Sequence, residues 1–279
     1  MDTSSTKPLA VVTGASSGIG YELARQFAEH GFDLVIAAED KDLIPAARSL
    51  EDLGATVSSV RVDLAHRDGV EEFHTRIMAS GRPVNAVAIN AGVGVGGDFA
   101  RDTDLDDELR LIKLNVVSSV HLAKLVLPDM VRRGRGRLLF TSSVAGTMPG
   151  PFHAVYAASK AFLYSFSEAI REELKDTGVT VTALLPGPTD TDFFRRADME
   201  DTKVGSGRKD DPAEVARQGF EALMSGDDHV VAGSKKNVLQ SVAGKIMPET
   251  AKARAMRSMA EPGGAEPGDG ESGGESDRE

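Results

Sequence analysis

Leu9-Ala10-Val11-Val12-Thr13-Gly14-Ala15-Ser16-Ser17-Gly18-Ile19-Gly20, followed by Tyr21 to His30, reads as a strand, a glycine turn and a helix in immediate succession. The apolar run Leu9 to Val12 predicts a strand buried on both faces, and Ile19 to His30 carries a helical pattern. Glycines let backbone approach an anion closely, and the helix behind them offers unpaired N–H groups and the positive end of its dipole. A pyrophosphate suits such a loop, although an ordinary tight turn uses the same residues.

Outward from this unit, apolar β-rich runs recur at Leu34 to Ala37, Val57 to Val62, Val84 to Ile89, Leu138 to Thr141 and Val179 to Leu185, all with the look of strands buried on both faces. Between them stand helical patterns such as Val70 to Met78 and Leu105 to Val131, long enough for crossover connections. Gly31, Gly54, Gly134 and Gly178 each follow a helical pattern and precede a strand, where a helix C-cap belongs. The alternation predicts an α/β fold with a parallel, doubly wound sheet, whose ligands bind beyond the strand C-termini.

The 279 residues are 41% hydrophobic, enough for a sizeable core without disulfides or a metal. Mean hydropathy is −0.20. No Pro/Gly/Ser-rich linker interrupts the pattern as far as Ala232, so residues 1–234 are expected to form one domain. With no Cys there is no thiolate ligand, disulfide or cysteine nucleophile. Met1 to Lys7 lacks the regions of a signal peptide and no apolar run approaches a membrane span, which leads us to expect a cytoplasmic protein. A net charge of −11 argues against nucleic acid as a partner. Residues 261–279 hold seven acidic and one basic residue among Gly, Ser and Pro, and are expected to be a disordered acidic tail.

Glu39 and Asp40 close the second strand about 20 residues after the glycines, where a carboxylate accepts hydrogen bonds from a ribose 2′-OH. Neither Ser17 nor positions 38 to 40 supply Arg or Lys for a 2′-phosphate, so NAD(H) is preferred to NADP(H). The bland alternative makes both acids the polar start of the next helix.

Tyr156 and Lys160 lie four residues apart at the start of a helical pattern, on one face. An ammonium near a phenol favours phenolate, so Lys160 is expected to lower the Tyr156 pKa and make it an acid/base. Ser143 follows the Leu138 to Thr141 strand and could donate to a substrate carbonyl, or merely cap the next turn. Asn115, amid apolar residues in mid-helix, needs buried partners. His30, His66, His74, His121, His153 and His229 show no ligand spacing, and no metal is expected.

These motifs, in this order, resemble the short-chain dehydrogenase/reductase family from Leu9 to about Ala232. Thr13 to Gly20 matches its Thr-Gly-x-x-x-Gly-x-Gly loop, Asp63 its adenine-contacting Asp, and Asn90-Ala91-Gly92 the turn after its fourth strand. Asn115, Ser143, Tyr156 and Lys160 match its Asn-Ser-Tyr-Lys tetrad, and Pro186-Gly187 with Thr191 its nicotinamide-contacting segment. The resemblance implies a Rossmann-type sheet of about seven strands with helices on both faces. It implies an NAD(P)-dependent enzyme that interconverts carbonyl and secondary alcohol, with Tyr156 as acid/base, Ser143 polarising the carbonyl, Lys160 on ribose hydroxyls and Asn115 positioning a relay water. The cofactor would lie on Gly14, Ser16, Ser17, Gly18, Ile19 and Gly20, on Glu39, Asp63 and Leu64, on Asn90, Ala91 and Gly92, and on Pro186, Gly187, Thr189 and Thr191. Thr189 replaces the usual aliphatic residue, and Glu39 stands one position later than the Asp of most NAD users. A homodimer or homotetramer is implied by the resemblance alone.

Residues 188–211, with Phe193 and Phe194, are expected to form a substrate lid, and Met148, Phe152, Val93 and Val95 to add to an apolar substrate wall. The basic segment 235–260 carries Lys235, Lys236, Lys245, Lys252, Arg254 and Arg257 against Glu249. With Val238, Leu239, Val242, Ile246 and Met247 it could lie on an anionic membrane; alternatively it packs beside the pocket or pairs with the acidic tail. A non-catalytic dinucleotide-binding regulator and a sugar-nucleotide epimerase are the rival functions. The intact tetrad opposes the first, and the spacing of Gly14, Gly18 and Gly20 the second.

Overall fold

The computed structural model describes residues 7–234 and 248–265. Seven parallel strands, β1 (Leu9–Thr13), β2 (Asp33–Ala38), β3 (Val57–Arg61), β4 (Val84–Ile89), β5 (Gly136–Thr141), β6 (Val179–Pro186) and β7 (His229–Ala232), lie in the order β3-β2-β1-β4-β5-β6-β7. The order reverses between β1 and β4, and a crevice opens at that switch point beyond the strand C-termini.

The strand period of two feeds two cores. Ala10 and Val12 face one layer with Leu23 and Phe27 of α1 (Gly18–Glu29), Leu50 of α2 (Leu43–Glu51), and Phe220 and Leu223 of a helix at Pro212–Ser225. Leu9 and Val11 face the other, with Phe73 of α3 (Arg67–Ala79) and residues of the helices before and after β5. Phe27 packs edge-on against both Phe32 and Phe220, with ring centroids 5.2 Å apart in each pair. Gly31, Gly54, Gly134 and Gly178 all take positive φ, between 65° and 87°, which ends each preceding helix and turns the chain into its strand.

Two expectations need correction. β3 is a sheet edge, so Ser58, Ser59 and Arg61 face solvent and only Val60 is buried. The helix read over Leu105 to Val131 is three pieces, α4 (Leu105–Ile112), a π-turn (Lys113–Val117) and α5 (Ser118–Arg133). The run Leu105–Arg133 is long and apolar enough to cross a membrane. Here it lies on the sheet, with Leu111, Leu114, Leu122, Val126 and Met130 buried beneath it.

A 3₁₀ turn (Val144–Thr147) and α6 (Ala154–Leu174) follow β5. Beyond β6 come two short helices, α7 (Phe193–Arg196) and α8 (Lys203–Ser206), then α9 (Pro212–Ser225) and α10 (Glu249–Ala260). The α7–α8 segment is pinned at its base, where the Asp190 N–H donates to Asp210 O at 2.8 Å and the Asp210 N–H to Pro188 O at 2.8 Å.

Candidate active site

The glycine loop leaves β1 and continues to pair with β2, the Gly14 N–H donating to Ala37 O at 2.8 Å. A Cβ on Gly20 would stand 2.0 Å from Gly14 O and 2.4 Å from Asn90 Nδ2. One on Gly18, at φ 56°, would stand 2.9 Å from Thr191 Cγ2. The loop is thus folded tightly on α1, with no side chain intruding at these points. Ser17 at the head of α1 makes no side-chain cap, so no side chain serves the first-turn N–H groups and they are available to an anion. This cradle fits a dinucleotide pyrophosphate. Thr13 Oγ1 accepts from the N–H groups of Asn90 and Ala91 at 2.9 and 3.0 Å, and Asn90 Nδ2 donates to Thr13 O at 3.2 Å, which ties the turn after β4 to the loop.

At the far end of the crevice stand Glu39, Asp40, Asp63 and Leu64. Asp40 is committed to the loop, accepting from Ser16 Oγ at 2.8 Å. Glu39 meets a residue that sequence reasoning missed: Arg110 on α4 donates to Glu39 Oε2 at 2.5 Å and to Asp63 Oδ2 at 3.0 Å. Burial would raise the Asp63 carboxyl, but the Ala65 N–H and the Arg110 guanidinium outweigh it and hold the group below its ordinary range. No local spacing could reveal Arg110, which is 71 residues from Glu39.

Every predicted site residue except Asn115 lines this one crevice. Ser143 caps the next turn and also lines the crevice beside Tyr156: its Oγ accepts from the Ala145 N–H at 3.1 Å and donates to Pro186 O at 3.4 Å. Lys160 Nζ is buried, donates to Thr141 O at 2.8 Å, and lies 5.7 Å from the Tyr156 ring centroid. Lys160 does not hold the phenol below its ordinary value, contrary to expectation. Burial pushes Tyr156 up to about 12, with only the Ser143 hydrogen bond opposing, and pushes Lys160 down to about 8.

Asn115 faces the chain instead of the crevice. Within the π-turn its Oδ1 accepts from the Val93 N–H at 2.9 Å, and its Nδ2 donates to Val93 O at 2.9 Å and Ser159 Oγ at 3.1 Å. These are the buried partners that a mid-helix amide requires, and they position the loop beside Gly92. Asn115→Ala, which removes a fully buried amide and leaves the half-buried Val93 N–H and C=O without their partner, is expected to cost about 1–3 kcal/mol in urea unfolding. A loss under about 0.5 kcal/mol, typical of a surface change, would contradict this positioning role.

The segment expected to be a lid, residues 188–211, reaches the Tyr156 end, where the Phe193 ring lies 5.0 Å from that of Tyr156. Cβ atoms on Gly94 and Gly96 would fall 2.5 Å from Phe193 Cζ and 2.4 Å from Met199 Cγ, so glycine there admits the lid. Of the expected apolar wall, Val93, Phe193 and Phe194 line the crevice; Met148, Phe152 and Val95 do not. Phe152 packs beneath the lid with Phe194 and Met199. Met199, His153, and Met256 and Met259 of α10 line it instead, placed there by tertiary packing alone. His153 is buried with Nδ1 unpartnered, and burial pushes it down to about 4, so it is neutral.

The basic segment therefore packs beside the pocket where it is described. Lys252 is buried and paired with Glu249 at 2.6 Å, while Arg257 stands 4.9 Å from the Phe152 ring centroid. Lys235, Lys236, Lys245 and the apolar residues of the membrane reading lie outside the described residues, as does the acidic tail beyond residue 265. One trio with ligand-type atoms, Glu168, Asp228 and His229, comes together away from the crevice, a proximity that sequence spacing did not show.

A family model described as short chain dehydrogenase matches residues 8–202. The NADP-dependent 3-hydroxy acid dehydrogenase of Salmonella typhi is 32% identical over 179 residues, 64% of this chain and 71% of that protein. A short-chain dehydrogenase from Sphingobium yanoikuyae, solved with NADPH, superposes with a TM-score of 0.74 at 30% identity, covering 80% of this chain and 87% of that one. One from Burkholderia phymatum, solved with NAD, gives 0.74 at 25% identity, covering 85% and 92%.

Proposed function

Since the chain belongs to the short chain dehydrogenase family and is an NAD(P)-dependent oxidoreductase interconverting carbonyl and alcohol, we propose that Tyr156, Ser143 and Lys160 carry its chemistry. The observation behind this is the convergence of all three in the crevice that also holds the glycine loop. The dinucleotide, when bound, supplies or takes the hydride. Ser143 Oγ donates to the substrate carbonyl oxygen and Tyr156 Oη passes it a proton during reduction; oxidation of the alcohol returns that proton to the phenolate. Lys160, fixed by Thr141 O, holds the ribose hydroxyls. Asn115 acts through Val93 as a positioning residue.

The acid at rest is a neutral phenol, since burial keeps it protonated to about pH 12. Reduction therefore has its proton available at neutral pH, whereas oxidation needs the phenolate, whose fraction grows with pH. Alcohol oxidation is expected to rise with pH from pH 6 onward and to be still rising at pH 9. Initial rates across pH check this, and an oxidation rate that falls between pH 6 and 8 would contradict it.

The substrate is an apolar carbonyl or alcohol, a reading supported by Phe193, Phe194, Met199, Met256 and Met259 around the Tyr156 end. Glu39 favours NAD(H), while Arg110 beside it works the other way. A homo-oligomer is supported by the apolar groove shared by Phe99, Ile112, Val116 and Phe162, where Phe99 and Phe162 are 62% and 40% exposed. Sedimentation at micromolar concentration is expected to give a dimer or tetramer, and a monomer would remove this claim. Fluorescence titration with NADH and NADPH, then turnover of ketones and secondary alcohols, tests the whole. Binding without any turnover would favour a regulator instead.

A further inference from the structure

Arg110 belongs to none of the motifs that carry the family resemblance, yet it pairs with Glu39 and Asp63, two carboxylates that line the far end of the crevice. One arm of its guanidinium, Nη1, is bonded to Asp63, a carboxylate itself fixed by the Ala65 N–H at 2.8 Å and approached by His66 Nδ1 at 3.1 Å. The other arm, Nη2, holds Glu39 Oε2. The two bonds differ in setting: the Glu39 side chain is 52% exposed, that of Asp63 30%. An ion pair as exposed as the Glu39 one is weak and exchanges partners readily.

Two other charged residues nearby have hydrogen-bond partners. Arg61 Nε donates to Glu39 O at 2.9 Å, and Asp40 accepts from Ser16 Oγ and from the Asp42 N–H at 3.0 Å. Glu39 and Arg110 form a side-chain ion pair at the end of the crevice where a 2′-substituent of the ribose would come. A carboxylate accepts from a 2′-OH but repels a 2′-phosphate, while a guanidinium fork matches phosphate geometry.

We propose that Arg110 is a specificity-determining residue that lets this site accept both dinucleotides. With NAD(H), Nη2 stays on Glu39 and the carboxylate receives the 2′-OH. With NADP(H), Nη2 passes from Glu39 to the 2′-phosphate while Asp63 keeps the other arm in place. The inference rests on the reading of this crevice as a dinucleotide site, and supplies what the motifs lack, a cation for the phosphate.

The test measures dissociation constants of NADH and NADPH by fluorescence titration at fixed ionic strength for the wild type, Arg110→Leu and Glu39→Gln, with circular dichroism to verify folding. The wild type is expected to bind both within about tenfold of each other. Arg110→Leu, which bares Glu39, should weaken NADPH at least about tenfold relative to NADH. Glu39→Gln, which frees Arg110, should shift the ratio toward NADPH, and it keeps the proposal testable if the first variant does not fold. Equal changes in both constants, or an unmoved ratio in both variants, overturn the role of Arg110 and leave the enzyme reading standing. A folded wild type that binds neither dinucleotide overturns both.

Discussion

Tyr156→Phe is expected to lower kcat for carbonyl reduction roughly 10²- to 10⁴-fold while leaving NADH affinity nearly unchanged. The substitution removes one oxygen and keeps the ring that packs on Phe193. The fold should therefore survive, and the missing function is the proton. No neighbour replaces it readily: Lys160 is committed to Thr141 O, and His153, 6.2 Å from Tyr156 between ring centroids, is held neutral by burial. Parallel measurement of kcat and of NADH binding checks the separation. Turnover within about threefold of the wild type would assign the proton step to another group, and equal losses in binding and turnover would mean that Tyr156 builds the site and does not act in it.

Gly20→Val is expected to abolish measurable dinucleotide binding, a loss of about 100-fold or more, and to lower stability by about 3 kcal/mol. The first carbon of any side chain there would sit 2.0 Å from a backbone oxygen, and backbone cannot step aside as a flexible side chain can. Either α1 moves off the loop or the loop opens, and both changes scatter the N–H groups that face the phosphates. At about 2–4 °C per kcal/mol, a thermal scan should show a fall of roughly 6–12 °C. Gly81→Ala is the matched control. Gly81 also has a positive φ, 62°, but a Cβ there meets nothing within 4 Å, so the change carries only the left-handed backbone cost of about 1–2 kcal/mol and leaves binding intact. Equal binding losses in the two variants would show that general destabilisation, and not the tight loop, is responsible.

Most of the sheet was legible because buried parallel strands are continuous apolar runs and their helices end on glycine. Where a strand lies at an edge the signal changes: Ser58 and Ser59 already break the apolar run of β3, and β7 is short and partly exposed. The π-turn around Asn115 was not legible, because one extra residue per turn leaves the apolar pattern of Leu105 to Val131 nearly intact.

The chain order of residues was enough to determine the doubly wound fold, the glycine loop and the candidate catalytic groups, because these depend on short-range patterns: continuous apolar runs in strands, glycine where a helix ends, a four-residue step from Tyr156 to Lys160 on one helix face. Tertiary structure alone decided the rest. It brought Arg110 to Glu39 across 71 residues, turned Asn115 onto Val93, swung Met256 and Met259 of α10 beside the lid, and reversed the expected direction of the Tyr156 pKa. Each of these follows from burial or from an approach between distant segments. Local sequence patterns carry neither quantity, since both arise only when the chain has closed on itself.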